Sequence, residues 1–561
     1  MKKSFGATGA LVCALFACVS PAMAADPPDA GGVLRDNRDT QPVPAPSAVP
    51  PANLPDAPVA TPAEDEPAFT LRGVRFRGNE AISAAELETL VADQVGQPTG
   101  FAGLNRLAER LTAHYRAAGY PLALVLVPPQ SINGGVVQFD VLEGRYGRVE
   151  LRNGSDLRYG LLQNVLGDEL ASGKPIRQPA LDNILLRAND LPGTATRATF
   201  STGSERGSAD LQVDAIGTGR VGGELRADNG GNPYAGAERL HASLYWNNPT
   251  GGGDRLTLAA VTAGAGLTTF SLGYQLPVWF SEHRFGVQAN WLDYELGENF
   301  KALDSNGETR DGEAWWQWLA VRSRPWNLST RLAWQQRDLE SRLDALNVSE
   351  PKSTRVLRAG ISVDNRDAGH DWIGRVSVTL SAGELNIEDA AALAGDQLTA
   401  RTDGRFMKTN LSAVHVWRLS DRVRWLNELE AQQAVDNLDS SEKMSLGGPS
   451  AVRAYPVGEA AGDNAVLLRS NVLLPLPISE QRGAWEARLF ADAGYSEMHH
   501  RLWVGFGGGN ARHVAGAGAA LHWKWQGLST ALTVAQRIGN EPAQSWKDDS
   551  TQFWAELGWQ F

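Results

Sequence analysis

From about Gly217 to Phe561, apolar and polar side chains alternate with a period of two, as in strands whose two faces meet different surroundings. The last segment is the clearest. Phe553, Ala555, Leu557, Trp559 and Phe561 share one face, and Gln552, Trp554, Glu556, Gly558 and Gln560 share the other. In the same way Leu328, Thr330, Leu332 and Trp334 oppose Ser329, Arg331, Ala333 and Gln335. About sixteen such segments of about 10 residues are legible, the length a strand needs to cross a bilayer. The first starts near Gly217, the sixth near Ala314 and the eighth near Arg355. Short connections such as Pro325-Trp326 and Leu419 to Arg422 alternate with long ones such as Glu295 to Glu313, Gly383 to Gly404 and Ala434 to Asn464. Short turns on one side and long loops on the other predict a transmembrane antiparallel β-barrel over residues 217–561. A soluble sandwich would alternate too, but it does not call for aromatic residues on one face near the strand ends.

Upstream the period changes. Phe69 to Phe76 alternates as a strand, and Ser83 with Glu86 forms a capping box for a helix. Leu104, Leu107, Leu111 and Tyr115 carry a second helix at spacings of three and four, stopped by Gly119 and Pro121. Strands at Leu122 to Val127 and Val136 to Val141 complete a β-α-α-β-β unit over 68–144. The order recurs over 145–216, with helices near Leu157 to Val165 and Pro179 to Asn189, so two tandem α+β modules are expected. Residues 25–67 are rich in Pro and Ala and read as an extended linker. Within them Asp29 to Asp39 has the makings of one short helix, although composition alone favours plain linker.

At the N-terminus, Lys2 and Lys3, the apolar run Leu11 to Val19 and Ala22-Met23-Ala24 read as a secretory signal over 1–24, cleaved after Ala24. Both cysteines, Cys13 and Cys18, lie inside it, so the mature chain is expected to have no thiol chemistry. The net charge of -12 argues against a nucleic-acid partner. A hydrophobic content of only 42% looks soluble, yet an alternating barrel wall averages to such a value, so it excludes only a helical membrane protein.

Four stretches resemble the outer-membrane transporters of two-partner secretion, the filamentous-haemagglutinin and haemolysin export family. Gly78-Asn79 in its β-α-α-β-β setting resembles the first of that family's POTRA domains, and Leu191-Pro192-Gly193 a turn of the second. Ser445 to Tyr455 resembles the V-R-G-Y tip of the sixth outer loop, with Val452, Arg453, Ala454 and Tyr455 at the pattern positions. Phe490-Ala491-Asp492-Ala493-Gly494 resembles the F-x-D-x-G strand. The resemblance implies a mostly β chain: two small POTRA domains, then a sixteen-stranded barrel. It implies that the loop folds into the lumen and pairs Arg453 with Asp492, and it leaves open whether Asp29 to Asp39 forms the family's short plug helix. Ala454 departs from the pattern, because a Cβ restricts the positive-φ conformations that Gly permits.

The implied function is an outer-membrane pore whose POTRA domains take an unfolded exoprotein in the periplasm, by strand addition to an exposed edge, and pass it to the cell surface. The client would be an adhesin, a haemolysin or a contact-dependent toxin. The terminal Trp559 and Phe561 resemble the signal read by the barrel-assembly machinery, and a monomer is expected in the lipid bilayer of the outer membrane. An assembly factor for other barrels is the alternative, although that class usually carries three or more POTRA domains. No catalytic or cofactor motif is legible. Gly167 to Lys174 lacks the Ser or Thr of a phosphate loop, and neither G-x-S-x-G nor H-E-x-x-H occurs. Asn248 to Asp254 reads as a turn, and His499-His500 as solvated loop rather than metal ligands. Neither enzyme activity, metal nor cofactor is therefore expected.

Overall fold

Each upstream module buries one face of a three-stranded sheet under two helices. In the computed structural model, which describes residues 27–37, 69–278, 282–366 and 372–561, the first sheet joins Gly73–Arg77, Val136–Leu142 and Leu124–Leu126. Its outer pairs are parallel and antiparallel respectively. Helix Ala84–Val91 is capped by the Ser83 side chain, and Phe101–Ala117 buries Leu104, Leu107, Leu111 and Tyr115 on the sheet. The second module repeats the plan with strands Arg145–Gly154, Ser208–Gly217 and Thr194–Thr202, and helices Tyr159–Leu166 and Gln178–Asn189. Its parallel and antiparallel pairs fall in the same order, which gives the two modules one topology.

Among the described residues, sixteen strands from Val221–Asp228 to Thr551–Gln560 then close into an antiparallel barrel. Closure matters because an open sheet edge would leave backbone groups without partners in hydrocarbon. The seam is short: the last strand meets the first over Glu556 to Gln560 only. Phe561 extends it by exchanging backbone hydrogen bonds with Gly223, at 3.0 and 3.1 Å. The outward rows are exposed, including Leu240, Trp246, Leu332, Trp334, Phe553 and Leu557. At the short-turn end, tryptophans gather in neighbouring pairs: Trp326 with Trp372, Trp417 with Trp425, and Trp485 with Trp523. Such a girdle marks a membrane–water boundary.

Three expectations change. Gly217 ends the last strand of the second module, and the barrel begins at Val221, because Gly219, with φ of 114°, turns the chain between them. The sixth and eighth strands begin at Ser305 and Val348, well before Ala314 and Arg355, and each runs for 18 residues. Consequently the stretches Glu295 to Glu313 and Gly383 to Gly404 are largely strand and short helix. These strand ends are polar on both faces, so alternation is silent there although the ladder Ser305↔Leu343 to Glu313↔Gln335 is continuous. Finally, Ala30–Asp36 is a helix and not plain linker, capped where Asp29 accepts a hydrogen bond from Gly32. The signal reading at residues 1–24, cleavage at Ala24 included, and most of the linker lie outside the described residues.

Candidate functional site

The segment between the eleventh strand, Val423–Ala434, and the twelfth, Asn464–Pro475, turns back into the barrel and packs on its inner wall. Its stem pairs Met444 with Gly462 through two backbone hydrogen bonds of 2.9 Å, and Leu446 N donates to the Glu459 carbonyl. The tip closes on itself where Val452 N donates to Leu446 O and Gly448 N to Tyr455 O. Gly447 is required there: a Cβ would lie 2.0 Å from the Pro456 carbonyl oxygen.

The structure brings the two sequence motifs together. Arg453 donates from Nε to Asp492 Oδ2 at 2.8 Å and from Nη2 to Oδ1 at 2.6 Å, a bidentate fork. Its backbone N also donates to Asp492 Oδ2, at 3.1 Å. The guanidinium stacks 3.5 Å over the Phe490 ring. Gly494 leaves room for Leu446, whose Cδ1 would be 3.0 Å from a Cβ there. Phe490, Asp492 and Gly494 thus serve as platform, counter-ion and clearance on one inward row. Val452, Ala454 and Tyr455 are fully buried, and the Tyr455 hydroxyl donates to the Glu541 carbonyl at 2.9 Å. Ala454 does not have positive φ, so its Cβ fits the backbone without strain.

Several further residues hold this segment. Trp554 donates from Nε1 to the Arg453 carbonyl at 2.8 Å, which explains an indole on the polar face of the last strand. Glu442, with a fully buried carboxylate, sits 3.0 Å from Arg337, 2.8 Å from Lys408 and 3.5 Å from Arg358. Glu459 meets Arg512 at 2.9 Å and accepts from the backbones of Gln544 and Ser545. Alternation places Arg337, Lys408 and Arg512 on the inward face, but nothing local in the sequence pairs them with loop carboxylates 34 to 105 residues away.

The helix Ala30–Asp36 lies inside the outer end of the barrel, against the same loop. Asp29 accepts from Ser440 Oγ at 2.7 Å, and Ala30 N donates to Ser341 Oγ at 3.0 Å. Gly31 permits the contact, since a Cβ would lie 2.3 Å from Ser440 Oγ. Val33 is buried in a cluster with Tyr234, Leu292, Tyr294 and Phe300. At the opposite end the second module docks on the short turns of the barrel. Arg322 forks onto Asp190 at 2.7 and 2.8 Å, Arg324 meets Asp182 at 2.7 Å, and Arg187 meets Glu282 at 3.0 Å. The turn Leu191-Pro192-Gly193 belongs to this joint, because Asn248 donates to the Pro192 carbonyl.

His499 is not a solvated loop histidine. It packs edge-on against Trp503 and Phe506, with centroids 4.8 and 5.4 Å away. Burial, helped by the nearby Lys443 charge, pushes its pKa down to about 4. Trp559 and Phe561 face outward beside one another at 5.0 Å, both exposed.

Comparison with known proteins gives one consistent answer. The family described as haemolysin secretion/activation protein ShlB/FhaC/HecB matches residues 207–520, and the ShlB-type POTRA domain matches 69–144. The chain is 26% identical over 564 residues to the heme/hemopexin transporter protein HuxB of Haemophilus influenzae, covering 99% of both. It is 24% identical to the outer membrane transporter CdiB of Escherichia coli over 446 residues, covering 75% of this chain and 72% of that one. The solved structure of Escherichia coli CdiB shares the fold, with a TM-score of 0.69 at 21% identity over 90% of this chain and 93% of that one. BamA of Haemophilus ducreyi lacking POTRA domains 1–3 superposes less well, with a TM-score of 0.51 at 14% identity, covering 88% of this chain and 100% of that one. The family favours export of an exoprotein over the assembly of other barrels. The chain belongs to the haemolysin secretion/activation protein family: it is an outer-membrane two-partner secretion transporter whose POTRA region lies in the periplasm.

Proposed function

We propose that the lumen clasp formed by Arg453, Asp492 and Phe490, with Val452, Ala454, Tyr455 and Gly494 around it, sets the resting position of the inner loop, and that the exoprotein passes only when this clasp and the helix Ala30–Asp36 give way. The observation that carries the reading is the bidentate Arg453–Asp492 pair, with side chains 10% and 0% exposed. In so dry a setting a broken pair leaves an uncompensated charge, so the resting position is strongly specified. The absence of any nucleotide motif in the sequence leaves folding of the client outside the cell as the driving force. The full-length match to a heme/hemopexin transporter makes a heme- or hemopexin-handling exoprotein the first client to test, ahead of an adhesin, a haemolysin or a contact-dependent toxin. Trp559 and Phe561 close the outward row of the last strand and serve as the signal to the barrel-assembly machinery. The transporter works as a monomer, since one chain supplies the whole barrel, clasp and plug.

The test is secretion of the partner exoprotein, sought first as a long β-helical exported protein among the neighbouring genes. Deleting the transporter should trap it in the periplasm, and Arg453→Ala and Asp492→Ala should each cut its release with normal barrel levels in the outer membrane. Unchanged secretion by both variants would remove the clasp from the mechanism.

A further inference from the structure

The wall residue beside the clasp has no side chain. Gly516, on the fourteenth strand Ala511–Trp525, is the direct cross-strand partner of Asp492. A Cβ built on Gly516 would lie 2.3 Å from the Ala454 Cβ but 3.5 Å from the Ala454 Cα. The other near atom, the Gln536 carbonyl oxygen, would be 3.2 Å away, tight but tolerable. The obstacle is thus one methyl group, and it belongs to the position where this chain departs from the Gly of the V-R-G-Y pattern. Ala454 is 0% exposed, so its methyl cannot turn aside into water.

We propose that Gly516 is a positioning residue for the loop tip: the seat between tip and wall holds one methyl, and in this chain the tip supplies it while the wall leaves the space. The inference rests on the reading that the clasp sets the resting loop, and adds which wall residue fixes how closely the tip approaches Asp492. A second methyl forces the tip off the wall, because a close-packed interior does not absorb an added carbon without displacement. Lengthening the distance at 454 lifts the adjacent Arg453 from a fork that has little tolerance in angle or length. Gly518, two residues on, behaves differently. A Cβ there would lie 2.1 Å from the Val534 carbonyl oxygen, which belongs to the wall itself, so no change at the tip relieves it.

The experiment uses the full-length protein purified from outer membranes, with Ala451→Cys as a reporter at a tip residue that is 5% exposed. Labelling by a water-soluble maleimide reads how often the tip leaves its seat, with the parent lacking Ala451→Cys as the blank and heat-modifiable migration as the check on barrel folding. Gly516→Ala should label about tenfold faster, the scale that one extra methylene in a packed site produces. Adding Ala454→Gly should bring the rate back to within about twofold of the parent, while the same change should not rescue Gly518→Ala. If Gly516→Ala fails to fold, recovery of folded barrel by Ala454→Gly supports the proposal in the same way. Parental labelling of Gly516→Ala, or a double variant no better than the single one, overturns it. Asp492→Ala measured alongside separates the two readings: fast labelling there with none in Gly516→Ala sinks only the seat, and slow labelling in both sinks the clasp as well.

Discussion

The barrel is held to its accessory parts at two ends, and both joints use arginine–carboxylate pairs. In the lumen, Arg453–Asp492, Arg337–Glu442 and Arg512–Glu459 have side chains no more than 10% exposed. At the periplasmic rim the Arg324 side chain is 38% exposed opposite Asp182 and Glu282 is 42% exposed opposite Arg187, while the Arg322–Asp190 fork is intermediate, at 10% and 22%. The same chemistry therefore acts in two regimes. A wet pair loses little when broken, because water replaces the partner. A dry pair cannot be broken halfway, since either ion left alone has no solvent to meet it. The rim is suited to small adjustments of the POTRA modules, and the lumen clasp to two distinct positions.

The difference can be attacked from the top. Asp492→Ala should destabilise the seated loop by about 3–5 kcal/mol, the cost of orphaning a buried charge, read as maleimide access to the tip in a barrel that still migrates as folded. An effect no larger than that of a rim variant would erase the distinction. Next, Glu442→Gln leaves Arg337, Lys408 and Arg358 without their shared carboxylate, and about 2–3 kcal/mol should be lost from the lumen packing. Because Ser440 and Ser441 touch the helix Ala30–Asp36, single-channel conductance should rise as that helix loosens. Asp190→Ala, which removes the half-dry Arg322 fork that stands between the wet rim contacts and the clasp, should cost about 1–2 kcal/mol and alter the scattering-derived orientation of the POTRA region, with secretion only modestly reduced. The salt response sharpens the contrast: raising ionic strength from about 0.05 to about 0.5 M should loosen the rim and leave the clasp alone.

The smallest effect is expected at His499. Its folded pKa of about 4 lies below the ordinary value of 6.5, so the unfolded loop binds more protons between these values. Stability of the loop therefore falls as pH drops from 6.5 toward 4 and is full above that window. Trypsin cleavage at the exposed Arg501 should be faster at about pH 5 than at about pH 7.5, and His499→Phe should abolish the difference. An equal difference in that variant would assign the effect to another group.

Much of this architecture was legible because it rests on periodicity. Phe553 to Phe561 alternates for one reason, lipid outside and lumen inside, and that reason acts on every strand at membrane depth. The legibility stopped where the surroundings became uniform. Residues 305–313 are a strand with both faces polar, and the ladder to residues 335–343 that makes them so is a tertiary pairing. The motif residues were legible as types: an arginine on a long loop, an aspartate on a strand. Glu442, Glu459 and Trp554 were not, since an inward charge or indole carries no mark of its partner.

The sequence by itself determined the class of the molecule: a chain that alternates over more than 300 residues, turns short on one side and is preceded by two β-α-α-β-β units has few ways to satisfy its backbone in a membrane. Only the tertiary structure decided what fills the barrel. Whether Ala30–Asp36 is linker or helix depends on Ser440, Ser341 and the cluster around Val33, since seven residues are too few to hold a helix without packing. Whether Ala454 is tolerated depends in turn on the missing Cβ of Gly516, 62 positions further on, because the space a side chain needs is set by neighbours in three dimensions.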